Sequence, residues 1–119
     1  MSAITTHVLD IAAGCPAAGL GVRLEHVANA GIEEIATAAT GPDGRITTLG
    51  PDHIAPGIYR LVFDTGDYLR RRRGPASTSI DVAAFFPEVT VTFAVADTGE
   101  HYHVPLLMSP FGYSTYRGS

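Results

Sequence analysis

The stretch Glu88-Val89-Thr90-Val91-Thr92-Phe93-Ala94-Val95-Ala96 decides the class of the fold. Val89, Val91, Phe93 and Val95 fall on one side of an extended chain, and Thr90, Thr92, Ala94 and Ala96 fall on the other. A period of two with β-branched residues marks a strand buried on one face. The same alternation recurs upstream. Leu20–Ala28 sets Leu20, Val22 and Leu24 against Arg23 and Glu25, and Gly57–Asp64 places Tyr59, Leu61 and Phe63 together. Further strands are expected at Ile4–Ile11, Ile32–Thr40, Arg45–Thr48, His101–Ser109 and Gly112–Arg117.

Turn chemistry separates these segments. Gly41-Pro42-Asp43-Gly44 and Ser109-Pro110-Phe111-Gly112 are strong turns, and Asp97-Thr98-Gly99 is expected to close a hairpin onto the strand beginning at His101. Seven or eight short strands with such punctuation predict an all-β sandwich of two antiparallel sheets, one domain over residues 1–119. One segment departs from the pattern. Asp64–Arg73 reads as a short helix, with acids at its N-terminal end and Arg70, Arg71, Arg72 and Arg73 at the other, as the helix dipole favours. Gly74-Pro75 supplies its stop, and Ala76–Ala84 is expected to be a loop or a weak extra strand.

Composition narrows the function. Among 119 residues, 12 acidic and 8 basic side chains give a net charge of −4, and every basic one is arginine. That balance argues against a nonspecific nucleic-acid binder, which needs a basic surface to displace counterions. The arginine run reads as a solvated helix end in preference to an RNA patch. A single cysteine, Cys15, excludes an internal disulfide framework and a cysteine-rich zinc site. No apolar run approaches the roughly 20 residues that span a bilayer, and Met1–Asp10 lacks the pattern of a signal peptide. The expected compartment is the cytoplasm, with no membrane partner.

Five histidines offer chemistry, at positions 7, 26, 53, 101 and 103. His101 and His103 share a strand face, a spacing that can bind zinc only with a third ligand from elsewhere. His7 shares a face with Thr5, Leu9 and Ile11. Arg45 follows directly on the Gly41–Gly44 turn, which would present its guanidinium at a sheet edge. The mixed aromatic and polar segment Tyr113–Ser119 runs to the last residue, and an ordered end suggests a place in a site or interface.

Three segments together resemble one family: Thr5-Thr6-His7-Val8-Leu9-Asp10, the long stretch from His101 to Thr115, and Tyr116-Arg117-Gly118-Ser119. They are similar to the transthyretin-related 5-hydroxyisourate hydrolases. The resemblance covers essentially the whole chain and implies a transthyretin-like sandwich of two four-stranded antiparallel sheets with one short helix. It also implies a homotetramer, a dimer of dimers, with active sites in a channel between dimers, acting on 5-hydroxyisourate to give 2-oxo-4-hydroxy-4-carboxy-5-ureidoimidazoline. It assigns catalysis to His7, Arg45 and His103. Tyr116, Ser114, Arg117, Gly118 and Ser119 would contact substrate or shape the pocket, with His101 a neighbour. No metal or organic cofactor is implied. Two rivals are a non-catalytic transthyretin-like small-molecule carrier and a zinc-dependent hydrolase. The resemblance departs at Arg70–Ala84, which is longer and richer in arginine than the matching connection, and mildly at Met108 and Phe111.

Overall fold

The computed structural model describes residues 2–73 and 84–119, among which nine strands and one helix form two sheets. In chain order the elements are β1 (Ile4–Asp10), β2 (Cys15–Pro16), β3 (Gly21–Ala28), β4 (Gly31–Ala39), β5 (Arg45–Ile46), β6 (Gly57–Phe63), α1 (Thr65–Arg73), β7 (Val89–Val95), β8 (Tyr102–Ser109) and β9 (Gly112–Thr115). The first sheet runs β2-β1-β8-β9, with β5 also paired to β1. The second runs β4-β3-β6-β7.

Alternation along the strands puts one row of each sheet into a common core. Ile4, Val8, Tyr102, Val104, Leu106 and Met108 face it from the first sheet, and Leu24, Leu61, Phe63, Val89 and Val95 from the second. Burying each such side chain is worth roughly 1.5–3 kcal/mol relative to leaving it exposed. The residues of opposite parity on β1 and β8, including His7 and His103, are thereby turned outward. The core fixes the site by exclusion.

Two expectations need correction. The first sheet is mixed and holds five strands, because β1 and β8 run parallel over Ile4↔Tyr102 to Asp10↔Met108. Alternation encodes which face a residue takes and carries no information on strand direction. Asp97-Thr98-Gly99 does not close a hairpin, since β7 and β8 belong to different sheets. This turn crosses between the layers, anchored where Tyr102 Oη donates to the Asp97 carbonyl at 2.9 Å and accepts from the Asp97 N–H at 3.1 Å. The two-residue β2 was missed, being too short to show a period.

The helix begins as expected. Asp64 accepts the Asp67 N–H at 3.2 Å, capping a helix that docks on the end of β1. There Tyr68 Oη donates to buried Asp10 at 2.8 Å. Burial and that carboxylate push the Tyr68 phenol up to about 12. Arg70 and Arg71 pair with Asp67, and Arg72 lies 3.9 Å from Asp10. The loop expected at Ala76–Ala84 lies, but for Ala84, outside the described residues. Among the described residues no helix is long and apolar enough to cross a membrane.

On the outer face of the second sheet, Glu25 is buried beneath Arg60 and Arg23, with Arg23 Nε donating at 2.5 Å. The hydrogen bond from Arg60, then that from Arg23, holds the Glu25 carboxyl below the usual glutamate range despite desolvation. A depressed folded-state pKa contributes stability above the unfolded value and loses it as pH falls through the folded one. Urea midpoints of the wild-type protein should therefore fall as pH drops below about 4.3. Glu25→Gln should be less stable at neutral pH and should flatten that part of the profile; parallel profiles would count against the assignment.

Candidate active site

The parallel register of β1 and β8 sets Thr5 opposite His103 and His7 opposite Pro105. The antiparallel register of β1 and β5 sets His7 opposite Arg45. Residues paired across strands share a face, so Thr5, His7, Arg45 and His103 all lie on the outer face of the first sheet. Three strands distant in sequence bring the predicted catalytic residues together.

The Gly41–Gly44 turn places Arg45. Gly44 N–H donates to the Gly41 carbonyl at 2.9 Å, Asp43 Oδ1 accepts the Arg45 N–H at 3.0 Å, and Val8 N–H donates to the Gly44 carbonyl at 2.8 Å. Gly44 has φ +79°, and a Cβ there would overlap the Val8 carbonyl oxygen. That oxygen is held by the Ala17 N–H at 2.9 Å and cannot yield cheaply. The turn also serves His7, whose Nε2 lies 2.9 Å from the Asp43 carbonyl oxygen. A carbonyl only accepts, so Nε2 carries the proton, and a neutral His7 presents Nδ1 as an acceptor. The Arg45 side chain is exposed and makes no ion pair among the described residues.

His103 is half-buried and held on two sides. Thr5 Oγ1 lies 2.8 Å from its Nδ1, which leaves Nε2 as the ring nitrogen available to a bound molecule. The chain end returns alongside, with Gly118 N–H donating to the His103 carbonyl at 2.8 Å. This bridge lies in the β8–β9 register, three residues beyond Leu106↔Thr115 on both strands. A Cβ on Gly118 would come within 2.6 Å of His103 Cδ2, so only glycine lets the tail approach. Desolvation, with the positive charge of Arg45 behind it and smaller contributions from His101 and His7, pushes the His103 imidazole down.

A cleft of about 160 Å³ is lined by Thr5, Arg45, Thr47, His101, His103 and Ser119 among others. It is smaller than the roughly 300 Å³ at which ligand pockets begin, and reads as part of a larger site. The tail divides. Ser119 reaches this cleft, whereas Tyr116 and Arg117 line a separate apolar one of about 250 Å³ with Val91, Phe93, Tyr102 and Val104. Arg117 sits 4.6 Å from the centre of the Tyr102 ring and 3.5 Å from Glu100. Ser114 is exposed opposite Leu107 on β9 and does not line the His103 cleft.

Thr5 was missed as a site residue, although its parity with His7 was visible. Its hydroxyl also lies 3.0 Å from His101 Nε2. The two histidines of the candidate zinc pair thus each turn a nitrogen to a hydroxyl. Among the described residues no three of His, Cys, Asp and Glu cluster to hold a metal ion.

A two-layer β-sandwich with imidazoles and a guanidinium gathered on one outer sheet face is a transthyretin-like scaffold bearing groups suited to acid–base chemistry. The family model HIUase/Transthyretin matches residues 4–118, and the chain belongs to that family. It is 46% identical to the 5-hydroxyisourate hydrolase of Pseudomonas aeruginosa, covering 100% of this chain and 93% of that one. It is 47% identical to the enzyme of the same name from Ralstonia nicotianae, with 100% of both chains covered. Among solved structures, Klebsiella pneumoniae 5-hydroxyisourate hydrolase matches with a TM-score of 0.77 at 35% identity, covering 98% of each chain. Transthyretin from Sparus aurata matches with a TM-score of 0.84 at 30% identity, covering 99% of this chain and 97% of that one.

If the Gly44 backbone seats the Arg45 turn against β1, Gly44→Ala should cost about 2–4 kcal/mol, from the strained φ and the overlap with Val8. Urea unfolding measures it. A loss under about 0.5 kcal/mol, the range of ordinary surface substitutions, would refute the account.

Proposed function

We propose that the protein is a hydrolase that opens the six-membered ring of 5-hydroxyisourate, giving 2-oxo-4-hydroxy-4-carboxy-5-ureidoimidazoline. The observation that carries this reading is the convergence of His7, Arg45 and His103 on one outer face, in a chain 46–47% identical to proteins of that activity. The fold itself does not discriminate, since transthyretin superposes as well as a hydrolase does. Sequence identity and the polar face favour catalysis over a carrier role.

Hydrolysis of a ring carbonyl needs a base for water and positive charge for the developing oxyanion. His103 is the base, because desolvation and Arg45 favour its neutral ring and, with Nδ1 held by Thr5, its Nε2 is free to take a proton beside the cleft. His7, which stands beside Arg45 but does not line the His103 cleft, helps orient the substrate from its edge through Nδ1. Arg45 clamps the substrate and stabilises the oxyanion through its forked donors. Gly118 and Ser119 close the cleft beside His103. Tyr116 and Arg117 line the other cleft of the chain and Ser114 lies opposite Leu107, so any contact of theirs with substrate requires a neighbouring subunit to bring them to the site. Base and charge stabiliser are both side chains, so the mechanism requires neither metal nor cofactor.

A homotetramer fits this face. Ile11 is 56% exposed beside half-buried Leu9 and Leu107, and the cleft is undersized for a closed pocket. Sedimentation should give four chains per particle, and a monomer with full activity would exclude an inter-subunit site.

Loss of freshly made 5-hydroxyisourate, followed by ultraviolet absorbance, tests the function. No acceleration over spontaneous decay would end it. His103→Ala and Arg45→Ala should each lower the rate by roughly 10²–10³. A lowered His103 pKa keeps the base form present into acid, so the acid limb of kcat/KM should fall below about pH 6.5. Arg45→Ala removes a nearby positive charge and should move the limb upward; a downward or absent shift would contradict the assigned coupling.

A further inference from the structure

Thr5 Oγ1 stands between two imidazoles, 2.8 Å from His103 Nδ1 and 3.0 Å from His101 Nε2. Thr5 is buried, His103 half-buried and His101 exposed. All three line the same cleft, with His103 on its half-buried side and His101 on its exposed side. A hydroxyl has one proton and two lone pairs, so Thr5 donates to at most one of the rings. When His103 carries its proton on Nδ1, that N–H donates to Thr5, and the Thr5 hydroxyl donates to His101 Nε2. This arrangement leaves His103 Nε2 as a lone pair toward the cleft.

We infer that His101, Thr5 and His103 form a proton relay in which His101 is the terminal acceptor for the proton taken from water at His103. This rests on the hydrolase reading above. The transfer balances. Water oxygen bonds to the carbonyl carbon as its O–H breaks, and the proton joins His103 Nε2. The Nδ1 proton of His103 passes to Thr5 Oγ1, and the Thr5 hydroxyl proton passes to His101 Nε2. His103 ends neutral in its other tautomer, and the positive charge rests on His101. When the ring C–N bond breaks, the leaving nitrogen takes the Nε2 proton of His103, and the two transfers run back.

The arrangement answers an electrostatic problem specific to this site. An imidazolium at His103 would be desolvated and would face Arg45 on β5 and His7 on β1, with Gly118 and Ser119 alongside. Moving the charge from half-buried His103 to the more exposed ring of His101 lowers its desolvation cost. His101 itself stands two residues from His103 on the same chain segment, and Thr5 is the group of β1 that faces it.

Histidine side-chain nitrogen spectra of the full-length protein, titrated alongside kinetics, test the relay. In the wild type, His101 and His103 should titrate as a coupled pair. Thr5→Val should separate the two titrations and lower kcat by about tenfold or more with KM little changed. Thr5→Ser should restore the coupled titration. His101→Gln keeps a hydrogen-bonding side chain that cannot take up a proton. It should lower kcat by a similar factor, and added imidazole should restore the rate. Independent titrations in the wild type, or wild-type kcat and pH profile in both Thr5→Val and His101→Gln, would overturn the relay. The spectra require no turnover, so they judge the bridge even if 5-hydroxyisourate proved not to be a substrate, an outcome the wild-type assay alone decides.

Discussion

The parallel pairing of β1 with β8 is the constraint on which the site depends. The seven paired positions from Ile4↔Tyr102 to Asp10↔Met108 set the inner rows into the core and the outer rows into one polar strip. A slip by one residue would turn one strand over against the other, driving His7 or His103 into the core and Val8 or Val104 out of it. The energy that protects the histidine geometry is therefore hydrophobic and lies behind the sheet. No hydrogen bond within the site needs to be strong for its residues to meet.

Around that strip, backbone without side chains does the positioning. Gly44 lets the Arg45 turn lie against β1, and Gly118 lets the tail lie against the His103 ring. The two glycines act for different reasons. Gly44 needs its left-handed φ as well as space, whereas Gly118 needs space alone. Rigid loops carried by a fixed sheet edge hold Arg45 and Ser119 near His103 from opposite directions along the chain.

Much of this was readable in the residues. The alternation in β7, β3 and β6 gave their buried rows, and the parity of His7 with Thr5 and of His103 with His101 survived into the structure. Strand direction and sheet membership were not readable, because alternation is blind to both. Local pattern accordingly reads the Asp97–Gly99 turn as a hairpin, whereas it links two layers. The place of Arg45 opposite His7 also escaped the local pattern, since it depends on a pairing made across 38 residues. Resemblance to a family supplied that grouping. It did not supply Thr5, whose role rests on two distances that only packing creates. The tail shows the converse: residues adjacent in sequence, Tyr116, Arg117 and Ser119, serve two different clefts.

Charge completes the account of how such a site works on an acidic chain. The net charge is −4, and half of the eight arginines lie in the run Arg70–Arg73. Arg70 and Arg71 share Asp67, and Arg72 lies near Asp10, so these three are tied to acids around the helix and stand away from the cleft. Arg23 and Arg60 are committed to Glu25, and Arg117 to Glu100. Arg45 is left as the cation without a carboxylate among these, and it stands in the cleft. With Arg23, Arg60, Arg70, Arg71 and Arg117 each held against a carboxylate, Arg45 stands in the cleft with no ion pair among the described residues, where the proposed reaction would form an oxyanion. The same charge makes a second cation at His103 costly. Under the proposed hydrolysis such a site needs its base neutral at rest and needs somewhere to put the proton, a requirement the proposed relay to His101 would meet.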